Sequence, residues 1–184
     1  FNRCGLKVFD VEELTTHGGS LRVYAQRSDT GSHAETPAVA RLRQTEREAG
    51  MTTPGFYSRF QAEALRVKNE LLEFLLAARR EGLKVGAYGA AAKGNTLLNF
   101  AGVRPDLLPY VVDLNPAKQG KYMPGSRIPI VDEAHLKADR PDRILILPWN
   151  LRDEVTAQLA YAGEWGAQFV TAVPRLQVSA GGRG

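Results

Sequence analysis

Alternating apolar and polar residues open the chain. Residues 6–13 and 20–27 follow this two-residue period and are rich in Val, Leu, Phe and Tyr, which predicts two strands. The segment between them, Thr15-Thr16-His17-Gly18-Gly19-Ser20, contains two glycines and predicts a hairpin loop. Because an isolated two-stranded hairpin is only marginally stable in water, we expect the hairpin over residues 1–27 to belong with a larger sheet.

A polar segment and two helical patterns come next. Residues 28–37 are small and polar, and they predict a linker. Residues 38–49 predict a charged helix, and a longer helix is predicted from about 54 to 81, with Gly82 as its stop signal. Residues 38–82 are therefore interpreted as connecting helices. The apolar positions that recur at helical spacing in the longer one are Phe60, Ala64, Val67, Leu71, Phe74, Leu75 and Ala78.

From residue 83 onward, short apolar runs alternate with helical patterns. The predicted helices cover 94–101, 132–137 and 151–163. The predicted strands cover 83–88, 109–113, 143–147 and 168–173, with a candidate short strand over 175–178. This alternation is typical of a parallel sheet covered by helices on both faces. With right-handed crossovers, residues 83–184 are predicted to form an α/β, doubly wound, Rossmann-like lobe.

Composition narrows the classes of protein. The 184 residues are 43% hydrophobic and 24% charged, as in ordinary globular proteins, and no apolar run is long enough to cross a bilayer. No leader segment is apparent, and the single cysteine, Cys4, excludes an internal disulfide and fits a reducing cytoplasm. The net charge is +4, but acids and bases are interleaved, so a small anionic ligand is favoured over a nucleic acid.

The densest motif runs from Val85 to Thr96 and reads VGAYGAAAKGNT; we call it the glycine turn. It joins the first strand of the lobe to its first helix, a position that faces the ligand crevice in such folds. Small residues admit a ligand to the backbone, and free amides at a helix start favour an anion. The turn therefore predicts a phosphate site formed by Gly89, Lys93, Gly94 and Asn95, unless its small residues serve only packing.

Known nucleotide motifs match the glycine turn incompletely. The spacing of Gly86, Gly89 and Gly94 differs from the dinucleotide fingerprint Gly-x-Gly-x-x-Gly. The phosphate-binding loop of ATPases requires a lysine where Asn95 stands, and the later strand ends in Pro148-Trp149 without a magnesium-binding aspartate. An ATPase is therefore disfavoured.

Two further segments are predicted to reach the same crevice. Asp113, with Asn115 close behind it, ends the second strand and could bind a ribose diol or form a plain Asx turn. Residues 117–127, here called the basic loop, contain three bases and no acid. Its side chains predicted to hold a diphosphate and a sugar or base are Lys118, Gln119, Lys121, Tyr122 and Arg127. A solvated surface loop is the alternative.

A third strand end contributes Trp149 and Asn150. Trp149 is predicted to flank a ligand or to pack on a neighbouring domain. Asn150 is predicted to cap the following helix.

Several stretches together carry a family resemblance. The two most specific are Gly-Ala-Ala-Ala-Lys-Gly-Asn-Thr, residues 89–96, and Lys-Gln-Gly-Lys-Tyr-x-Pro-Gly, residues 118–125. With 9–14, 16–22 and 146–151, they resemble the C-terminal region of S-adenosylmethionine-dependent sugar C-methyltransferases that act on TDP-linked keto-deoxysugars.

The resemblance implies what lies outside this chain. In that family a zinc-binding region and a methyltransferase domain precede a second Rossmann-like domain. Residues 1–27 would then be the closing hairpin of the upstream methyltransferase sheet. The structural zinc, the S-adenosylmethionine site and the general base would all lie before Phe1, so this chain alone is expected to be inactive.

The resemblance also carries some residues over. Lys93, Gly94 and Asn95, then Lys118, Gln119, Lys121 and Tyr122, match motifs that help to hold the sugar nucleotide. His17 matches a His-Gly-Gly-Ser turn, where it either touches the substrate or tunes a neighbouring base as a catalytic auxiliary, or only fixes the turn. Two other classes remain open: a nicotinamide-binding oxidoreductase, and a non-enzymic dimerisation module that uses the helices at 38–81.

Overall fold

The computed structural model of the chain describes residues 1–180, except for the side chain of His17. It divides into two compact units, residues 1–61 and the described chain from Ala62 onward.

The first unit contains the predicted hairpin. Strands β1 (Leu6–Leu14) and β2 (Ser20–Arg27) pair antiparallel, with a bulge between Val8 and Asp10. A short 3₁₀ turn, Thr16–Gly18, joins them at the predicted loop. Both strands are confirmed as predicted to within one residue.

Residues 28–37 differ from the free linker that their composition predicts. The Thr36 amide donates to the Phe9 carbonyl at 2.8 Å, and the Thr36 hydroxyl bonds to the Asp10 carboxylate. The His33 ring stacks on Phe9 with centroids 4.6 Å apart. Because these side chains contact the hairpin, the segment packs on β1. The sequence placed the linker between domains at residues 28–37, whereas the two compact units divide between residues 61 and 62.

The predicted helix over 54–81 is interrupted. Helix α1 (Pro37–Glu48) agrees with the sequence, but the next pattern forms α2 (Pro54–Tyr57) and α3 (Phe60–Arg80). At the break, the Ser58 hydroxyl donates to the Gly55 carbonyl at 2.8 Å, a local bond that competes with helix continuation. Phe60, predicted to lie on the apolar face, is 74% exposed.

A six-stranded sheet forms the centre of the second unit. Its strands are β3 (Val85–Tyr88), β4 (Val111–Val112), β5 (Ile130–Val131), β6 (Arg143–Ile146), β7 (Gln168–Thr171) and β8 (Gln177–Ala180). Their order is β5-β4-β3-β6-β7-β8, and only β8 runs antiparallel to its neighbour. The mostly parallel sheet confirms the predicted α/β class. β5 was not predicted, because two residues are too few to show the alternation of apolar and polar residues that marks a strand.

Helices cover both faces of this sheet, as predicted. Along β6 and the residue after it, Leu145 and Leu147 belong to one buried cluster, while Ile144 and Ile146 belong to another. The first cluster includes residues of α3 and α4 (Ala92–Ala101), and the second includes residues of α5 (Glu133–Asp139) and α6 (Arg152–Gln158). Helix α6 ends before the predicted residue 163, because the chain continues as a 3₁₀ helix, Ala160–Trp165.

The parallel strands bring three segments to one edge of the sheet. The part of the glycine turn from Gly89 onward follows β3, Asp113 and the basic loop follow β4, and Pro148 to Asn150 follow β6. Since β4, β3 and β6 are neighbours, their carboxyl ends meet there. No helix among the described residues has both the length and the apolarity needed to cross a bilayer.

Candidate functional site

An open cleft of about 620 Å³ lies beside the glycine turn. Its walls come from the start of α4, from the basic loop and from the start of β5. The lining residues that the sequence had singled out are Asn95, Lys118, Lys121 and Tyr122. The cleft therefore unites parts of both predicted segments.

The N-terminus of α4 opens onto this cleft through Ala91 and Ala92. Ala91, at the N-cap, has no side-chain acceptor to offer, and the first backbone bond runs from the Asn95 amide to the Ala91 carbonyl at 2.9 Å. The amides of the first turn therefore have no intrahelical partner and carry the positive end of the helix dipole. This wall of the cleft favours an anion.

Two glycines of the turn pack against the end of β6. At Gly89, which has a φ of +87°, a Cβ would lie 2.6 Å from Cδ of Pro148. At Gly94 a Cβ would lie 2.6 Å from Cβ of Leu147. Protein side chains thus occupy the space that these glycines leave free, as the packing alternative predicts.

Lys93 points towards the segment after β6. Its ammonium donates to Oδ1 of Asn150 and lies 5.3 Å from the centroid of the Trp149 ring. Within the described residues no carboxylate lies within 4 Å of it, so its charge is not neutralised by an ion pair. It does not line the cleft, although the adjacent Ala92 does.

The predicted cap at Asn150 is wrong. Leu151 takes the N-cap position of α6 without a side-chain bond, because the amide oxygen of Asn150 accepts from Lys93 instead. Trp149 is partly buried against the first hydrophobic cluster of its own unit. Asn150 and Trp149 together fix the position of the Lys93 ammonium.

Asp113 is only 8% exposed, and its carboxylate is used within the protein. Oδ1 accepts from the Asn115 amide at 2.9 Å, which is the Asx turn that the sequence left open. Oδ2 accepts from the Ala90 amide at 2.8 Å and from the Lys118 ammonium at 2.9 Å. The Gln119 side chain donates to the Asp113 carbonyl at 2.9 Å. Asp113 thus anchors the chain that leads into the basic loop.

The second half of the basic loop offers free side chains to the cleft. Lys121 is exposed, and no carboxylate of the described residues lies within 4 Å of its ammonium. Tyr122 is 65% exposed. The loop is held in place by a bond from the Ile130 amide to the Lys121 carbonyl at 2.8 Å. Arg127 adopts a left-handed conformation, with a φ of 57°, and does not line the cleft.

Sequence reasoning overlooked Asn99 as part of this site. Its side-chain amide donates to the Asn95 carbonyl at 2.9 Å and to the Pro124 carbonyl at 2.8 Å, joining α4 to a residue that lines the cleft. Nothing in the spacing of the sequence predicted this, because Asn99 and Pro124 belong to different segments.

Tyr88 is the last residue of β3 and lies within the glycine turn, directly before Gly89. Burial, together with the nearby charges of Glu133 and Asp113, raises the pKa of Tyr88 to about 12. Its hydroxyl is therefore protonated at neutral pH and is not a candidate base.

Residues 15–174 match the family model described as the C-methyltransferase C-terminal domain. The chain belongs to this family. The C-methyltransferase NovU of Streptomyces niveus is 33% identical to it over 178 residues, which is 97% of this chain and 42% of NovU. The family resemblance of the sequence is thus confirmed, and this C-terminal domain spans less than half the length of the relative.

C-methyltransferases use S-adenosylmethionine, and the described part of this C-terminal domain does not fit that cofactor. Side chains fill the space at Gly89 and Gly94, and the Asp113 carboxylate, which would bind a ribose diol, is used by protein donors. The same two observations disfavour a nicotinamide dinucleotide. Among the described residues no group of three or more His, Cys, Asp or Glu side chains could hold a metal ion.

The prediction for His17 lies outside what the structure describes, because the placement of its side chain is not given. Its backbone lies in the 3₁₀ turn of the hairpin. Whether the side chain contacts a substrate therefore stays a prediction for this C-methyltransferase C-terminal domain.

Proposed function

We propose that the cleft binds the diphosphate of a nucleoside-diphosphate keto-deoxysugar, TDP-linked, as the substrate-binding part of a C-methyltransferase. The observation that carries the proposal is that the uncapped start of α4 and Lys121, which has no carboxylate within 4 Å among residues 1–180, line the same cleft. Both features attract an anion, and together they match the charge of a diphosphate. Membership of the C-methyltransferase C-terminal domain family supports this assignment.

The surrounding side chains suit the rest of such a ligand. Tyr122 presents an exposed ring at the cleft, on which a nucleobase or sugar can stack. Asn95 offers a side-chain amide for hydroxyl or phosphate oxygens. Lys93, held by Asn150 and Trp149 beside the helix start, adds a positive charge close to the cleft.

The location of the cleft agrees with a Rossmann-like lobe. In open parallel sheets, ligands bind at the carboxyl ends of the strands where the strand order reverses. Here the order reverses between β3 and β6, and the cleft lies beside this point, between the start of α4 and the basic loop after β4. We extend the proposal to the hairpin β1–β2, interpreting it as the closing pair of an upstream methyltransferase sheet.

In this proposal the chemistry belongs to the full-length protein. A base outside this chain would remove a proton from the carbon next to the sugar ketone, and that carbon would take the methyl group of S-adenosylmethionine, with S-adenosylhomocysteine as the leaving group. The S-adenosylmethionine site and the structural zinc that the family resemblance implies also lie outside this chain. The chain alone is expected to bind the sugar nucleotide without methylating it.

Calorimetric titration of the chain with TDP tests the proposal. We expect TDP to bind, and Lys121→Met to weaken binding by about 1.5–3 kcal/mol, the value of a charge-assisted phosphate contact. Lys93→Ala should weaken it as well. The matched control is Lys68→Met, which removes a lysine that lies 5.6 Å from the Phe100 ring and does not line the cleft.

Either of two results would contradict the proposal. One is the absence of TDP binding, and the other is equal affinity of TDP for the wild type and for Lys121→Met. S-adenosylmethionine and NADH serve as parallel ligands and should give no heat. Tight binding of NADH without binding of TDP would favour the oxidoreductase alternative.

A further inference from the structure

The three bases of the basic loop are not equivalent. Lys118 donates to Oδ2 of Asp113 at 2.9 Å and to the Ala90 carbonyl at 3.0 Å. Asp113 Oδ2 also accepts from the Ala90 amide at 2.8 Å. These three contacts form a closed ring between the glycine turn, the end of β4 and the basic loop.

The ring leaves Lys118 poorly suited to binding phosphate. Asp113 is 8% exposed, and Lys118 is the only cation within 4 Å of its carboxylate among the described residues. If the ammonium moved to a ligand, a nearly buried carboxylate would lose its counter-charge and face the ligand's own negative charge. The Lys118 side chain is 40% exposed, but Asp113 is nearly buried, so the cost comes from leaving this carboxylate without its counter-charge.

We infer that Lys118 is a positioning residue, which fastens the basic loop to the glycine turn and neutralises Asp113 beside the cleft. The side chain that meets the anion is then Lys121, which has no competing carboxylate partner in the described part of the chain. The inference rests on the proposed function for the identity of the ligand, but the ring of contacts exists without it.

A double-mutant cycle on TDP affinity separates positioning from direct contact. The variants are Lys118→Met, Asp113→Asn and the double variant, each checked for a folded state by its thermal transition. We expect Lys118→Met to lose about tenfold or more in affinity, since an unpaired carboxylate then repels the anion. In the Asp113→Asn background the same change should cost less than about threefold, because no charge is left unpaired.

Direct contact predicts the opposite pattern. If Lys118 binds phosphate itself, its removal costs the same factor whether residue 113 is Asp or Asn, and additive losses of this kind would overturn the inference. Lys118→Arg is the conservative variant, whose guanidinium can still donate to Asp113 and to the Ala90 carbonyl. It should retain wild-type affinity within about threefold.

Hydrogen exchange of the ligand-free chain gives a second, independent result. Removing the ring should speed exchange at the Ala90 amide and at the Gly120 amide, which donates to the Ile130 carbonyl at 2.9 Å. We expect this in Lys118→Met and not in Lys121→Met. Unchanged exchange in Lys118→Met would refute the positioning role, whereas absence of TDP binding to the wild type would refute only the proposed function.

Discussion

Gly94 packs against Leu147, so this contact decides whether replacing Gly94 by alanine stabilises or destabilises the protein. Gly94 lies in helix α4, so its replacement by alanine should stabilise the helix by about 1 kcal/mol if nothing else changed. However, the added Cβ would lie 2.6 Å from Cβ and 3.2 Å from Cγ of Leu147. Leu147 is 1% exposed, and its Cβ is attached directly to the backbone at the end of β6.

The overlap therefore cannot be relieved by rotating the end of a flexible side chain. Either α4 or the end of β6 must shift, and inserting a carbon into a well-packed core typically costs about 1–3 kcal/mol. Subtracting the gain in helix propensity leaves a net destabilisation of about 1 kcal/mol for Gly94→Ala.

Urea unfolding followed by tryptophan fluorescence measures this effect. The two tryptophans, Trp149 and Trp165, both lie in the second unit, so the signal reports on the unit that contains α4. With a slope of about 2 kcal/mol per molar, the midpoint should fall by about 0.5 M. Thr96→Ala is the control, because Thr96 is exposed on the same helix and its replacement adds no overlap. A midpoint that rises in Gly94→Ala would show that helix propensity prevails and would refute the packing argument.

Two further predictions concern other contacts of the second unit. Burial of Asp139 opposes its ionisation, but hydrogen bonds from Lys84 and Tyr110 hold its pKa below the usual value. The ionised Asp139 therefore stabilises the fold above the ordinary carboxyl pKa of about 3.9, and this stabilisation is lost as the pH falls through the lower folded-state pKa. In Asp139→Asn the urea midpoint should accordingly decline less steeply below about pH 4. An unchanged decline would contradict this. Asn99→Ala removes the bond to the Pro124 carbonyl and should lower the free energy of unfolding by about 0.5–1.5 kcal/mol. Equal urea midpoints for the wild type and Asn99→Ala would contradict this.

Most of the sheet could be predicted because its longer strands have a strong local signal. β3, β6 and β7 are short apolar runs flanked by turns, and the hairpin has a clear two-residue period. β5 has only two residues, and its place in the sheet depends on pairing with Val111 and Val112 rather than on its own pattern. The break between α2 and α3 at Ser58 could not be predicted either, since it depends on a side-chain hydrogen bond inside an otherwise helical pattern.

The sequence could predict which segments form the candidate site, but not which role each of their side chains has. Parallel strand ends indicated that the glycine turn and the basic loop would meet, and both line the cleft. Which lysine keeps a free charge depends on partners that spacing does not reveal. Lys93 bonds to Asn150, which is 57 positions away, and Lys118 bonds to Asp113 across an irregular loop without any helical or strand period.

The exposed hairpin has a consequence for the behaviour of the chain in concentrated solution. A two-stranded sheet presents unpaired amides and carbonyls along its outer edges, and such edges act as templates for strands from other molecules. On β2, three large apolar side chains, those of Leu21, Val23 and Tyr24, are between 36% and 48% exposed. We therefore expect edge-to-edge association of chains through β2 to increase as the concentration of the chain rises.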